Sequence, residues 1–216
     1  MNILEKKFTK KYTTALGHER AFVRFTGLET LWFNTGTLCN ISCEGCYIES
    51  SPVNNKLLYL NVKDVEKYLK QIKVNNLPCD TIGITGGEPF MNKDIIPILN
   101  LCTKLNYNIL VLTNAMQPMI NKIKELIKFT NYNKLTFRIS LDHHSKVEHE
   151  NIRGKNTWDK ALKGIKWLAN NNFKINIASR IINKNEKHVR DGFAKLFKEN
   201  NLPIDAYNKK ELVLFP

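Results

Sequence analysis

The sequence predicts an α/β fold in which parallel strands alternate with helices. Short apolar runs recur along the 216 residues with helical patterns between them. The run at 108–113, Asn-Ile-Leu-Val-Leu-Thr, has a continuous apolar centre, which predicts a strand covered on both faces. Alternation at this spacing implies a parallel sheet with right-handed crossovers. We find no linker or low-complexity segment, and expect a short N-terminal extension over 1–30 followed by one domain over 31–216.

The first half of this domain contains three predicted strands. In order, its elements are a strand at 31–35, a helix at 61–74, a strand at 81–85, a helix at 94–105 and the strand at 108–113. Asn61 is the predicted cap of the first helix, because its side chain can accept a bond from the first turn. Val65, Leu69 and Ile72 recur at helical spacing and form the predicted buried face.

The second half continues the same alternation. Its predicted elements are a helix near 119–129, a strand at 135–141, a helix capped by Thr157 through about 170, a strand at 173–178, a helix at 186–198 and a sixth strand that begins at Leu212. The apolar faces of its last two helices contain Trp158, Leu162, Ile165 and Leu168, then Val189, Phe193 and Leu196.

Three cysteines follow the first strand in a C-x3-C-x2-C run, Cys39, Cys43 and Cys46. Three thiolates are one fewer than a closed zinc or iron–sulfur site requires. If they hold a four-iron cluster, one iron keeps an open position that a small molecule can chelate. Cys79 and Cys102 lie at no ligand spacing, and Cys102 is a predicted core residue.

A second motif, Gly86-Gly87-Glu88-Pro89, follows the strand at 81–85 directly. Two glycines let the backbone approach a ligand closely, and their carbonyls can accept bonds from an ammonium. Glu88 adds negative charge, and Pro89 stiffens the exit from the turn. Taken alone, the motif also fits an ordinary glycine-rich turn between strand and helix.

The cysteine run, with this motif forty residues later, resembles the radical S-adenosyl-L-methionine (SAM) enzymes. The resemblance covers roughly residues 31–190 and implies a partial (β/α)6 barrel. It implies a [4Fe-4S] cluster on Cys39, Cys43 and Cys46, with residues 86–89 holding the amino group of SAM. It also implies an enzyme that reductively cleaves SAM to a 5′-deoxyadenosyl radical and abstracts hydrogen from a substrate, the cysteines being ligands and not nucleophiles.

Polar residues stand at each predicted strand end, where the chemistry of a β/α barrel is located. They are Thr35-Gly36, residues 86–88, Thr113-Asn114, Ser140-Leu-Asp142 and Ser179-Arg180. The segment from Ser140 to Gly154 is similar to the S-x-D…H-x-x-x-R-G segment of peptide-modifying and cofactor-maturing radical SAM enzymes.

That similarity assigns roles at the fourth strand. It implies that Ser140 and Arg153 hold the methionine carboxylate of SAM, with Asp142 near the ribose, and an Arg pairs bidentately with a carboxylate. Asn114 is a further expected cofactor contact. His143, His144 and His149 are expected to be polar loop histidines, with a zinc site as the alternative.

The sequence departs from the family pattern in three places. Gly45 stands where many members have an aromatic residue against the adenine, so Tyr47 is the candidate for that contact. The G-x-I-x-G-x-x-E motif of many relatives is missing from the fifth strand. The C-terminal cysteines of auxiliary clusters are missing too, which leaves a form truncated near strand six, or a split form, open.

Composition restricts the class and compartment of the protein. With 43% hydrophobic and 25% charged residues, no apolar run near eighteen residues, no signal peptide and five cysteines, the sequence predicts a cytoplasmic protein without a disulfide framework. The net charge is +13, but the lysines are scattered. We therefore expect a solvated basic surface, not a nucleic-acid site, and this surface suits an acidic electron donor of the flavodoxin or ferredoxin type.

The substrate stays open between a peptide and a small molecule. Two other functions remain as alternatives: an inactive or split barrel fragment that retains the cluster, and a zinc-binding nucleic-acid module. The zinc module leaves the Gly86–Pro89 motif and the strand periodicity unexplained.

Overall fold

The computed structural model describes residues 7–181 and 185–215, and its centre is one six-stranded sheet. The strands are β1 (Thr30–Asn34), β2 (Thr81–Thr85), β3 (Asn108–Thr113), β4 (Leu135–Ser140), β5 (Lys174–Arg180) and β6 (Leu212–Phe215). They lie in chain order, and every neighbouring pair is parallel. β1 and β6 form the two edges and do not pair with each other, so the sheet is a partial barrel. The predicted α/β fold is confirmed.

Seven helices connect these strands within the described ranges. They are α1 (Val62–Val74), α2 (Ile95–Lys104), α3 (Gln117–Ile120), α4 (Ile123–Leu126), α5 (Lys146–Arg153), α6 (Trp158–Asn170) and α7 (Glu186–Glu199). The side chain of Asn61 accepts a bond from the Asp64 amide at 3.0 Å, which confirms the predicted cap of α1. None of the helices described is long and apolar enough to cross a membrane.

The predicted helix at 119–129 is wrong as a single element. The chain forms α3, then α4, then a 3-10 turn at Ile127–Phe129. The Lys122 amide bonds to the Met119 carbonyl at 2.8 Å, a tight return that ends α3 before α4 begins. Each of the three pieces still buries one large side chain, Met119, Leu126 and Phe129 respectively.

One further helix prediction needs correction, and one helix was not predicted. Thr157 precedes α6, but its hydroxyl donates to the Gly154 carbonyl at 2.6 Å and does not cap the helix. α5 had no predicted counterpart. Its start is fixed by Ser145, whose hydroxyl accepts from the Glu148 amide at 3.5 Å, and it ends at Gly154, where φ is +96°.

The two faces of the sheet differ, so the prediction of a β3 covered on both faces is also wrong. On the outer face, Val111, Phe137 and Ile177 are fully buried under the helices. On the inner face, Leu110 and Leu112 are partly exposed and do not belong to the buried core cluster. The partial barrel therefore presents an accessible inner face.

Candidate iron–sulfur and cofactor site

The loop that carries the three cysteines is fastened at both ends. After β1, the Thr35 amide bonds to the Thr85 carbonyl at 2.8 Å, and the Cys39 amide bonds to the Ser51 carbonyl at 3.1 Å. Between these points the Glu44 amide reaches the Ile152 carbonyl of α5 at 2.8 Å. The loop therefore folds back over the strand ends and touches α5.

Most of the predicted site residues line one cavity of about 210 Å³. The predicted residues that line it are Cys39, Cys43, Cys46, Tyr47, Gly86, Gly87, Asn114, Ser140 and Arg153. Glu88, Pro89 and Asp142 do not line it. Arg180 and Ser50 do, although no motif marked them as ligands. The position of Arg180 at the carboxyl end of a strand was the available signal.

Both glycines of the 86–89 motif are required by contact with the cysteine loop. A Cβ on Gly87 would lie 2.2 Å from the Leu38 carbonyl oxygen, and Gly86 has a φ of +143°. The Gly87 amide bonds to the Gly36 carbonyl at 2.8 Å, and the Glu88 amide bonds to the Leu38 carbonyl at 3.1 Å. This turn therefore positions the loop as well as facing the cavity.

Glu88 is an internal brace. Its Oε1 accepts from the Phe90 amide at 3.1 Å and the Thr113 hydroxyl at 2.8 Å, and its Oε2 accepts from the Asn114 amide at 2.8 Å. Burial raises the pKa of Glu88 to about 7, against the lowering effect of these three bonds. The carboxyl group ties the end of β2 to the end of β3.

Asn114 connects the end of β3 to the cysteine loop. Its Nδ2 donates to Asn40 Oδ1 at 2.9 Å and lies 3.9 Å from Cys39 Sγ, while its Oδ1 accepts from the Met116 amide at 3.0 Å. These contacts fix the orientation of the Asn114 amide group.

Asp142 positions two arginines at the cavity. Its Oδ2 accepts from Arg153 Nε at 2.7 Å, and its Oδ1 lies 3.7 Å from Arg180 Nε. Arg153 Nη1 also lies 3.8 Å from Cys43 Sγ. The carboxylate faces the guanidinium groups, and both arginines line the cavity. A small anion that enters there meets two oriented cations.

Gly45 has no side chain, and the space that a side chain would occupy there is next to Arg180. A Cβ at Gly45 would lie 3.4 Å from Arg180 Nη1, and the φ of Gly45 is +66°, a left-handed conformation that disfavours an aromatic residue. Tyr47 lines the cavity from its rim, with 85% of its surface exposed. Its ring is free to cover a ligand.

Burial favours the neutral form of two of the thiols, Cys39 and Cys43. Burial raises the pKa of Cys39 to about 11 and also raises that of Cys43, where the cation of Arg153 opposes the effect. A bound metal removes the proton and reverses this preference. Cys79 and Cys102 do not line the cavity, and Cys102 is fully buried as predicted.

The donor set fits a cluster better than a single ion. Within 7–181 and 185–215, no three His, Cys, Asp or Glu side chains are grouped closely enough to hold one metal ion. A four-iron cluster binds each thiolate through a different iron, so it accepts thiolates that are further apart than the ligands of zinc. Three thiols on one cavity satisfy that requirement.

The histidines contact one another and the core. His143 stacks on His144 at 4.0 Å between ring centroids, and His143 Nδ1 lies 3.0 Å from the Ser145 hydroxyl. His149 differs from the predicted loop histidine, because it belongs to α5 and is fully buried against Trp158.

The family-model comparison defines the class of protein. The model of the radical SAM superfamily matches residues 33–191, so the chain belongs to that superfamily of enzymes. The family uses a [4Fe-4S] cluster and SAM.

Three relatives illustrate the likeness. The antilisterial bacteriocin subtilosin biosynthesis protein AlbA of Bacillus subtilis (strain 168) is 33% identical over 187 residues, 82% of this chain and 40% of AlbA. A probable GTP 3′,8-cyclase of Saccharolobus islandicus is 25% identical over 140 residues, 64% of this chain and 43% of that protein. SuiB of Streptococcus suis, crystallised with S-adenosylmethionine, has the same fold with a TM-score of 0.66 and 20% identity, covering 82% of this chain and 39% of SuiB. SuiB has also been crystallised with its precursor peptide SuiA.

Proposed function

We propose that this chain is the catalytic core of a radical SAM enzyme that abstracts hydrogen from a peptide. The observation that carries the proposal is one cavity where three thiols, the only Cys, His, Asp or Glu side chains among its described lining residues, meet Gly86, Ser140 and Arg153. When bound, the reduced cluster supplies the electron that cleaves SAM to methionine and a 5′-deoxyadenosyl radical.

The residues of the chain bind and orient the reactants in this proposal. Cys39, Cys43 and Cys46 hold the cluster, and the Gly86 and Gly87 carbonyls, backed by Glu88 and Pro89, accept bonds from the amino group of SAM. Ser140 and Arg153 hold its carboxylate, Asp142 fixes Arg153 on the ribose side, Asn114 steadies the cysteine loop, and Tyr47 covers the adenine.

A peptide substrate is supported by likeness to AlbA, a bacteriocin biosynthesis protein, and by the precursor peptide bound to SuiB. A small-molecule substrate is the second candidate, because the chain is also similar to a GTP 3′,8-cyclase. The chain spans about 40% of the length of these relatives. We further propose residues 1–30 as an extension to the core at 31–216, a cytoplasmic location, and a flavodoxin or ferredoxin as electron donor.

Release of 5′-deoxyadenosine tests the proposed function. Anaerobically reconstituted protein, given dithionite and SAM, is expected to form it at low turnover, because electron transfer needs only the cluster and the chelated sulfonium. Cys43→Ala should form none, and Cys79→Ala, which removes a thiol outside the cavity, should match the wild type. A cluster-loaded protein that releases no 5′-deoxyadenosine would establish the inactive fragment instead. Loss of the cluster from Cys79→Ala would overturn the ligand assignment.

A further inference from the structure

Arg138 lies in the middle of β4 and belongs to the inner face of the sheet. In register it pairs with Leu112 on β3 and Asn176 on β5. Ser140 is two residues further along the same strand, so both side chains are on the same face, with Cα atoms about 7 Å apart. Since Ser140 and Leu112 line the cofactor cavity, Arg138 lies directly below it.

The guanidinium group of Arg138 has no partner among the residues described. Its Nε is buried without a hydrogen bond, and it takes part in none of the described ion pairs. Other arginines are paired: Arg153 and Arg180 at the cavity with Asp142, and Arg190 on α7 with Glu186. The lack of a partner is therefore specific to Arg138 and is not shared by these arginines.

Arg138 is partly exposed, but its Nε is buried without an acceptor, and that lowers the stability of the fold. A guanidinium group keeps its charge in proteins, so it cannot escape the desolvation cost by losing a proton. Burial lowers the pKa of Arg138, and no neighbouring carboxylate opposes that effect. The chain gains no hydrogen bond in return, which points to a ligand outside the chain.

The inner face around Arg138 is mixed, with Leu112 beside it on β3 and Asn176 beside it on β5. Leu110 and Leu112 are partly exposed on the inner face, and Trp32, 45% exposed, lies on the same face at the edge strand β1. The Trp32 ring covers Gly83, where a Cβ would lie 2.3 Å from the ring. A cation between a leucine and an amide side chain suits a ligand that offers a carboxylate together with hydrocarbon and amide groups, as a peptide does.

We propose that Arg138 is a substrate-binding residue that pairs with a carboxylate of the peptide and holds it on the inner face below the cofactor cavity. A guanidinium group binds a carboxylate through two parallel hydrogen bonds, which fixes orientation as well as position. The carboxylate belongs either to an acidic side chain or to the C-terminus of the peptide. This inference rests on the proposed function for its peptide substrate.

Nitrogen-15 NMR of the Arg138 Nε–H group tests the pairing directly in the reconstituted protein with its cluster oxidised. The signal is assigned by its loss in Arg138→Gln. N-acetyl-aspartate N-methylamide, which has only a side-chain carboxylate, and N-acetylglycine, which has only a terminal one, are titrated separately. We expect a saturable shift with at least one, and the stronger probe identifies the source of the carboxylate.

Two control probes, a neutral amide and inorganic phosphate, can overturn the proposal. N-acetyl-asparagine N-methylamide, the neutral match of the aspartate probe, should leave the signal in place. An equal shift with it would mean that the inner face binds amides without charge pairing. A larger shift with inorganic phosphate than with either carboxylate would make the site a phosphate site, and no shift with any probe would remove it.

A ligand-free measurement gives independent support. Arg138→Met keeps much of the hydrocarbon chain and removes the unpaired charge, so the midpoint of urea unfolding should rise. Arg190→Met is the matched control: Arg190 donates to the Ala206 carbonyl at 2.6 Å and pairs with Glu186, so its midpoint should fall. A fall of the Arg138→Met midpoint comparable to that of the control would overturn the proposal.

Failure here is distinguishable from failure of the proposed function. A protein that forms 5′-deoxyadenosine but gives no Arg138 shift overturns only the carboxylate site. A protein that gives the shift but forms no 5′-deoxyadenosine overturns the enzymatic assignment and leaves Arg138 as a carboxylate-binding site without a substrate role.

Discussion

Asp142 holds both of its oxygens towards arginines that line the cofactor cavity. This arrangement keeps the Arg153 guanidinium in place while its Nη1 lies near Cys43. Arg153 is thus oriented before any ligand binds, which reduces the entropy lost on binding. Arg180, its neighbour on Asp142, is the second cation available to a carboxylate.

We expect Arg153→Ala to weaken SAM binding by about 1.5–3 kcal/mol, the scale of a hydrogen bond to a charged group. Calorimetric titration of the reconstituted protein measures it, with iron content checked in the same sample. Lys155→Ala removes an equal charge from an exposed position nearby and should leave the affinity unchanged. If Arg153→Ala binds SAM as the wild type does, Arg180 holds the carboxylate.

The raised pKa of Glu88 predicts how the stability of the cluster-free protein changes with pH. Its pKa of about 7 exceeds the ordinary 4.5, so the folded chain holds this proton more tightly than the unfolded chain. The stability of the cluster-free protein should therefore be highest below about pH 4.5 as far as Glu88 is concerned, and fall by up to about 3 kcal/mol as pH rises through 7.

Glu88→Gln separates this effect from the hydrogen bonds. At about pH 5 the variant should be less stable by about 1–3 kcal/mol, because a glutamine Nε2 cannot accept from the Asn114 amide. As pH rises, only the wild type loses stability, so the difference should narrow in urea unfolding. Glu29→Gln, at an exposed position, should leave the curve unchanged. A constant difference at all pH values would contradict the raised pKa.

The residues of the cavity were more predictable than their contacts. Cys39, Gly86 and Ser140 follow from motifs and from the rule that strand ends converge. The inward bonds of Glu88 and the contact between Gly87 and Leu38 depend on how two loops pack. Sequence spacing does not contain that information.

At the scale of elements, α6 is fixed to the end of β3 by a glycine. A Cβ on Gly164 would lie 1.8 Å from the carbonyl oxygen of Ala115, which directly follows Asn114. Gly164 is in the middle of a helix, where alanine normally stabilises by up to about 1 kcal/mol. The contact with a backbone atom reverses that expectation.

Gly164→Ala should therefore destabilise the protein by about 1–3 kcal/mol, as overpacking against backbone does. The adjacent Lys163→Ala, on the exposed side of α6, should change the free energy of unfolding by less than about 0.5 kcal/mol. Urea unfolding of both variants measures this. Stabilisation by Gly164→Ala would mean that α6 and the Ala115 loop are further apart in solution.

Element boundaries were predictable where one amphipathic pattern decides them. α1 and β2 agree with the pattern at both ends. The break between α3 and α4 escaped prediction because the apolar spacing of Met119, Leu126 and Phe129 fits a continuous helix. α5 escaped because its sequence, Lys-Val-Glu-His-Glu-Asn-Ile-Arg, is mostly polar and its one buried residue is a histidine.

At the scale of the whole molecule, the open inner face and the basic charge have different consequences. The inner face gives the sheet an accessible side with Arg138 on it. The net charge of +13 acts at longer range and is scattered over the sequence. It favours the approach of an acidic protein from many directions, which raises the rate of encounter more than the final affinity.

Reduction by an acidic flavodoxin should therefore depend on salt. Raising the ionic strength from about 0.01 M to about 1 M shortens the screening length from roughly 30 Å to roughly 3 Å. The second-order rate constant for reduction of the cluster by reduced flavodoxin, followed by stopped-flow absorbance, should fall by roughly tenfold or more. Reduction by a neutral one-electron mediator of similar potential is the control and should change little. A flavodoxin rate constant that is independent of salt would mean that the donor docks through uncharged surface, and that the basic charge has no part in electron delivery.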